Sequence, residues 1–410
     1  MSDKGLLPVA DARQRILDAV PTMPAEQISV ADGLGRTLAE DLVSRRSQPP
    51  MPVSAMDGYA VRAEDITALP AELKIIGYAP AGHGFDGNVR KGEAVRIFTG
   101  APVPEGADTI VIQENTDLQD ETVRVIDGET TKGRFVRPAG LDFAKGEALI
   151  PAGKTLSARD VGLAAAMNLP WLKVRRKPRI SILATGDEIV MPGDPIGPDQ
   201  IVSSNALALS AFIQAHGGVP IDLGIAPDEE VGLKALAAGA KGSDILVTTG
   251  GASVGDHDLI QSVLGDIGLE VDFWRIAMRP GKPLMFGKIG DTFLIGLPGN
   301  PVSSLVCAII FLAPTIRKML GIDSVMPPTL PAQLGRDLTE NDEREDYLRA
   351  TLERDENGDL VATPFDKQDS SMFANIARAD ALIIRPPFGA AAKAGTTVEI
   401  VALGGSVFSF

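Results

Sequence analysis

The sequence predicts a multidomain α/β protein. It comprises a central three-layer α/β domain with a mainly parallel sheet, a β-rich inserted domain, a discontinuous helical N-terminal domain and a small C-terminal β-barrel domain. Three observations carry this. At 410 residues the chain exceeds one ordinary hydrophobic core. Strand and helix patterns alternate from Pro178 onward, the mark of a sheet covered on both faces. Proline-rich breaks, Ser-Gln-Pro-Pro-Met-Pro-Val from Ser47 and Pro327-Pro328, separate that stretch from regions of short strands.

In order, Asp11–Val20 has helical periodicity and stops at Pro21, and a second helix pattern covers Ile28–Leu38 despite Gly33 and Gly35. From Ser54 to about Gly140, short apolar runs (Leu73–Tyr78, Ala94–Phe98, Thr109–Gln113, Thr122–Ile126) lie between glycines and prolines. Gly82–Gly87 matches G-x-G-x-x-G by letter, but no helix pattern follows, so it is no dinucleotide fingerprint. Ser157 reads as the N-cap of a helix through Met167, closed by Asn168 and Pro170. If that helix packs on the N-terminal ones, the β-rich region is an insertion. The expected domains are 1–47 with 141–177, 48–140, 178–326 and 327–410.

In the central domain, strands are expected at Arg179–Leu183, Pro220–Leu223, Asp244–Thr248 and Glu270–Ile276, and helices at Asn205–His216, Glu229–Ala238 and His257–Asp266. Asn300 and Pro301 suit the cap and first turn of a helix reaching about Met319. Its apolar stretch Leu305–Pro314 is too short to span a bilayer and reads as buried. In the tail, Asn357-Gly358 signals a hairpin between Tyr347–Arg354 and Asp359–Pro364.

Formal charge is −15, which argues against a nucleic-acid binder. The single cysteine, Cys307, lies in an apolar run, so burial rather than nucleophilic duty is expected, in a reduced compartment. Three histidines far apart in sequence make no His-rich metal site. The first residues lack a signal-peptide pattern. A soluble, cytoplasmic protein with no membrane role is the expectation.

The chemistry gathers between Ser243 and Ser304. Two β-branched runs, Ile245–Thr249 and Thr292–Gly296, each break into small residues before a helix pattern: Gly250–Gly255 and Leu297–Pro301. Glycines let backbone N–H groups approach a ligand, and a helix start behind them favours an anion. The stretch therefore reads as a site for a phosphorylated small molecule. Asp256 and Asp258 either cap the next helix or hold magnesium against a phosphate. Asp187 and Glu188, after the first central strand, are either solvated loop acids or metal-binding groups at the same edge. Asp228 reads first as a helix-start acid. Arg279 and Lys282 bracket Pro280-Gly281 as solvated hairpin charges or as an anion clamp.

Six ordered motifs carry a resemblance: SAMDGYA (Ser54–Ala60), TGAPVPEGAD (Thr99–Asp108), ATGDE (Ala184–Glu188), TTGGASVGDHD (Thr248–Asp258), RPGKP (Arg279–Pro283) and LPGNPVSS (Leu297–Ser304). The chain resembles the molybdopterin molybdenumtransferases, the MoeA and gephyrin E-domain family, over nearly its whole length. The resemblance implies an elongated homodimer that reacts adenylylated molybdopterin with molybdate and Mg²⁺, releasing AMP. It implies functional roles for Asp57, Thr99, Glu188, Asp228 and Asp258, and magnesium near Asp187, Glu188, Asp256 and Asp258. It implies substrate contacts at Gly251, Ser253, Arg279, Lys282, Pro298 and Pro301, and an anion, molybdate among the candidates, near Arg349 and Ser371. It also implies a MogA-like adenylyltransferase upstream and molybdoenzyme or chaperone acceptors downstream. The β-rich domain of one subunit would cover the α/β cleft of the other, which brings Asp57 and Thr99 to the site. Arg279 stands where the family commonly has Lys, and Asp256 where it has Glu. Two rival readings are a molybdopterin adenylyltransferase and a gephyrin-like scaffold without turnover.

Overall fold

The computed structural model describes residues 6–129, 131–250 and 263–404. Its central sheet has six strands, in the spatial order Val219–Ala226, Arg179–Thr185, Ile245–Thr249, Thr292–Leu297, Pro283–Ile289, Leu269–Arg275. The first four are mutually parallel, and Pro283–Ile289 runs against both of its neighbours. Alternate residues of each strand feed opposite faces, as the pleat requires. Ile180, Ile182, Ile245, Val247 and Ile295 enter one core; Leu183, Leu246 and Leu294 enter another.

The helix pattern that opens with Pro301 at its first turn continues to Met319, 19 residues in all. Sequence reading had its apolar stretch too short to cross a membrane. The whole helix is long and apolar enough by length and composition, but 78% of its apolar window is buried in the protein, so it is the core helix of the α/β domain. Cys307 is fully buried on it.

The expected helical N-terminal domain is corrected. Val9–Ala19 is a helix, yet its Val9, Ala12 and Ile16 pack into the central domain's core. Ile28–Leu38 is not helical. Ala25–Ser29 is a strand paired antiparallel with Trp171–Arg175, followed by a short 3-10 turn. A side chain at Gly33 would sit 3.2 Å from Leu172, so close packing against that strand overrides local helix propensity. The helix Ala158–Ala166 does form, with a full capping box between Ser157 and Asp160, and Asn168 takes a positive φ of 63° beyond its end.

The β-rich region between these halves is built on a six-stranded sheet, with Gly58–Val61 and Glu93–Ile97 near its centre, and a separate short pair, Val53–Ser54 with Val136–Arg137. At the C-terminal end five strands close into a barrel. The long strand Glu345–Arg354 pairs with Leu360–Pro364 on one side and Ala381–Arg385 on the other, which leaves no open edge. Asn357 and Gly358 lie in the turn of its hairpin. The short strand Met278–Arg279, from the central domain, pairs with Glu345–Asp346 and ties the two domains together.

Candidate functional site

Three neighbouring parallel strands end at one edge. Arg179–Thr185 breaks at Gly186 (φ 138°) and Ile245–Thr249 at Gly250 (φ 99°), both in backbone territory that favours glycine. Thr292–Leu297 breaks into Pro298-Gly299-Asn300-Pro301. Ala184 lies opposite Thr249, and Thr249 opposite Leu297, so the three loops leave side by side. A side chain at Gly299 would meet the Gly250 Cα at 3.3 Å. These glycines let the loops close on one another.

Together they line a cleft of about 610 Å³. This is the carboxyl-end crevice where open α/β sheets take ligands. Thr185, Glu188, Pro298 and Pro301 belong to its wall. So do Ser371 and Phe373, from the C-terminal domain. The starts of two helices, Asn205–Ala215 and the one beginning at Pro301, also face it, and helix N-termini favour anions.

Asn205 holds the edge together. Its Nδ2 donates to Thr249 Oγ1 at 2.8 Å and to the Gly299 carbonyl at 2.7 Å, joining the second loop to the third. Sequence reasoning took Asn205 only as a helix start; a polar residue there looks like any capping residue. Asn300, expected as a side-chain cap, makes no cap bond and instead donates from Nδ2 to Ser370 Oγ at 3.0 Å. That bond, with Val302 N–H to the Ser370 carbonyl at 3.1 Å, draws the C-terminal domain onto the cleft. Ser371 donates from its N–H and hydroxyl to Asp369 Oδ1 at 2.8 and 2.7 Å, and the hydroxyl first, then the amide, hold Asp369 below the usual carboxylate range.

The other expected residues are distributed as follows. Asp187 is exposed beside Glu188, and its Oδ1 accepts the Asp228 N–H at 3.1 Å. Arg349 is 1% exposed. Its guanidinium donates to the Tyr347 and Asp369 carbonyls at 3.2 and 3.5 Å, and its Nε has no partner among the described residues. Burial pulls it down to about 10. Arg279 sits at the domain junction, donating to Asp346 at 2.5 Å, Asn341 at 2.9 Å and Asp342 at 3.1 Å. The clamp expected of Arg279 and Lys282 together is therefore split: Arg279's fork is taken by acids of its own chain, while Lys282 is exposed next to Pro283 of the cleft wall.

Asp57 and Thr99 form a separate pair on the inserted domain, outside the residues that line the cleft. Asp57 Oδ1 accepts Thr99 N–H at 2.7 Å and its hydroxyl at 2.8 Å. These two bonds, the backbone one foremost, lower the Asp57 pKa. Gly251, Ser253, Asp256 and Asp258 lie outside the described residues. Among the described residues no three metal-binding side chains converge.

Three family models match the chain in order: MoeA N-terminal region (domain I and II) over residues 7–168, probable molybdopterin binding domain over 181–318, and MoeA C-terminal region (domain IV) over 331–403. A molybdopterin molybdenumtransferase from Nostoc sp. is 34% identical over 92% of this chain and 89% of its own length. One from Haemophilus influenzae is 32% identical over 96% and 98%. The chain belongs to the molybdopterin molybdenumtransferase family. A crystal structure of a molybdopterin biosynthesis MoeA protein from Pyrococcus horikosii superposes with a TM-score of 0.86 at 32% identity, covering 98% of this chain and all of that one. The three family regions meet at two junctions here, near residues 168–181 and 318–331. The second coincides with the Pro327-Pro328 break.

Proposed function

We propose that this chain is a molybdenum insertase of molybdenum cofactor biosynthesis, a transferase acting on adenylylated molybdopterin and molybdate. The metal enters the dithiolene and AMP leaves. The observation that carries this is the match of all three family regions along a chain whose three strand-end loops line one cleft. Relatives carrying that enzyme name span nine-tenths or more of the chain, which does not favour the adenylyltransferase or scaffold readings. We further propose the division into 1–47 with 141–177, 48–140, 178–326 and 327–410, and a cytoplasmic setting.

The two helix starts and the glycine turns hold the phosphates of the adenylylated pterin. Pro298 and Pro301 shape that wall, and Gly251, Ser253 and Lys282 add contacts to it. Arg349, buried without a side-chain acid on its fork, and Ser371 receive the tetrahedral oxyanion beside the cleft. Pterin sulfurs supply the soft ligands that the buried Cys307 cannot, since burial pushes its thiol pKa up. Glu188 and Asp187, with Asp256 and Asp258, offer hard oxygens of the kind magnesium takes. That ion needs only one or two carboxylates beside substrate phosphates, so the absence of a three-acid cluster among the described residues does not conflict. Magnesium, when bound, shields phosphate charge and polarises the bond that releases AMP. Asp228 orients Asp187 through its backbone N–H.

Asp57 and Thr99 complete the site from a second subunit. Their pairing preorganises an ionised, exposed carboxylate for a surface its own cleft does not include. The purified protein is expected to release AMP from adenylylated molybdopterin when molybdate and Mg²⁺ are present. Glu188→Gln should fold normally and lose about 100-fold or more in turnover, the scale of losing one electrostatic group from a site. A wild-type protein that releases no AMP and forms no active cofactor overturns the reading. Mixing Asp57→Ala with Glu188→Ala protein, each inactive alone, should restore about a quarter of wild-type activity, because a mixed dimer has one intact site. No recovery after subunit exchange rules out the shared site.

A further inference from the structure

Two neighbouring strands of the central sheet end in threonine, and the structure treats the two hydroxyls differently. Thr249 Oγ1 accepts from Asn205 Nδ2 at 2.8 Å and lies 3.5 Å from the Pro298 carbonyl, toward which it donates. Thr185 Oγ1 is buried, on a residue only 4% exposed, and has no hydrogen-bond partner among the described residues. A buried hydroxyl without a partner bears its desolvation cost uncompensated. Thr185 is nonetheless in the wall of the cleft.

Gly250 packs beside it with no side chain between them. A Cβ at Gly250 would collide with the Thr185 carbonyl oxygen and stand 2.9 Å from its hydroxyl. Asn205 Nδ2 has no proton left to donate to Thr185, since both are taken by Thr249 and Gly299. The starts of the helices at Asn205 and Pro301 face the same cleft, so an anion is the guest it favours, and a hydroxyl facing an anion donates its proton.

We infer that the Thr185 hydroxyl is a substrate-binding group, donating a hydrogen bond to a phosphate oxygen of the adenylylated substrate, and that Asn205 is a positioning residue that holds the two facing loops at that spacing. This rests on the insertase reading of the cleft. It predicts opposite effects on fold and binding. The unpaired hydroxyl weakens the free protein and acquires its partner only when the substrate arrives.

The test is Thr185→Val, nearly the same shape without the hydroxyl, compared with Thr185→Ser and wild type. Thermal unfolding of the ligand-free full-length protein should be unchanged or slightly higher for Thr185→Val. Its KM for adenylylated molybdopterin should rise about 10- to 100-fold, as for loss of a hydrogen bond to a charged group, with a smaller change in kcat, and Thr185→Ser should recover most of it. Wild-type KM in Thr185→Val overturns the inference, and so does a Tm several degrees lower, which would mean the hydroxyl is satisfied within the fold. If wild type itself releases no AMP, the insertase reading fails instead, a result separate from either of these.

Discussion

Arg279 and Arg349 were both expected to hold anions, and their surroundings are opposite in kind. Arg279, at the junction of the α/β domain and the barrel, is gripped by Asp342 and Asp346, and the bond to Asp346 foremost raises its pKa. Arg349 lies on the barrel strand Glu345–Arg354, on the face opposite the inward-pointing Leu348 and Ala350; it donates to two backbone carbonyls, its Nε has no partner among the described residues, and burial lowers its pKa against the opposing pull of Asp346 and Asp369. The first is a neutralised cross-link between domains. The second is a buried cation with no carboxylate hydrogen-bonded to it among the described residues, although Asp346 and Asp369 lie near enough to act on its charge; such a group stabilises the fold poorly and suits an incoming anion. A positive residue beside a ligand site is informative only once its own chain's acids are counted.

Four measurements sharpen or break that contrast, here from largest to smallest effect. Arg349→Met should weaken molybdate binding about 100-fold, because two hydrogen bonds to a charged group are lost, and leave chemical stability level or higher, since apolar replacements for buried charges often do. Unaltered binding would move the oxyanion elsewhere. Asp346→Ala should destabilise the protein by about 1–2 kcal/mol in urea denaturation: the carboxylate is mostly buried, but Arg279 is 42% exposed and water screens part of the loss.

Acid should loosen the same junction. Arg344 foremost, with Arg279 also contributing, lowers Asp342 to about 2 in the folded protein. The folded value lies below the unfolded one near 3.9, so the unfolded state binds the proton more readily. The stabilisation is complete above about pH 4 and is lost as pH falls toward 2. With Asp342 41% exposed, the screened contribution is under about 1 kcal/mol. Asp342→Asn should flatten that part of the acid limb in a pH series of Tm values. The smallest effect is on turnover in Arg279→Gln, expected within about threefold of wild type despite lower stability, as for a side chain whose fork is engaged inside its own chain. A tenfold rise in KM would return Arg279 to the substrate.

Periodicity and punctuation made much of the fold legible. The strands ending near Thr185, Thr249 and Leu297, the capping box at Ser157 and the hairpin at Asn357-Gly358 all carry local signals, because backbone geometry constrains those residues whatever surrounds them. The motif order was enough to reveal the family. Ile28–Leu38 was misread because its strand pairing lies with Trp171–Arg175, more than a hundred residues away, where no local pattern reports it.

Residue types and their order thus determined by themselves the family, the turns at Gly186 and Gly250 and which acids and cations the chain can offer. Tertiary structure alone decided which of those groups remain uncommitted. It joined Asn205 to Thr249 and Gly299, spent Arg279 on Asp346, and left Thr185 and Arg349 with unmet hydrogen-bonding capacity. The reason is physical. Whether a polar group is satisfied depends on partners within about 3 Å in space, and chain order carries no distance between residues far apart in sequence.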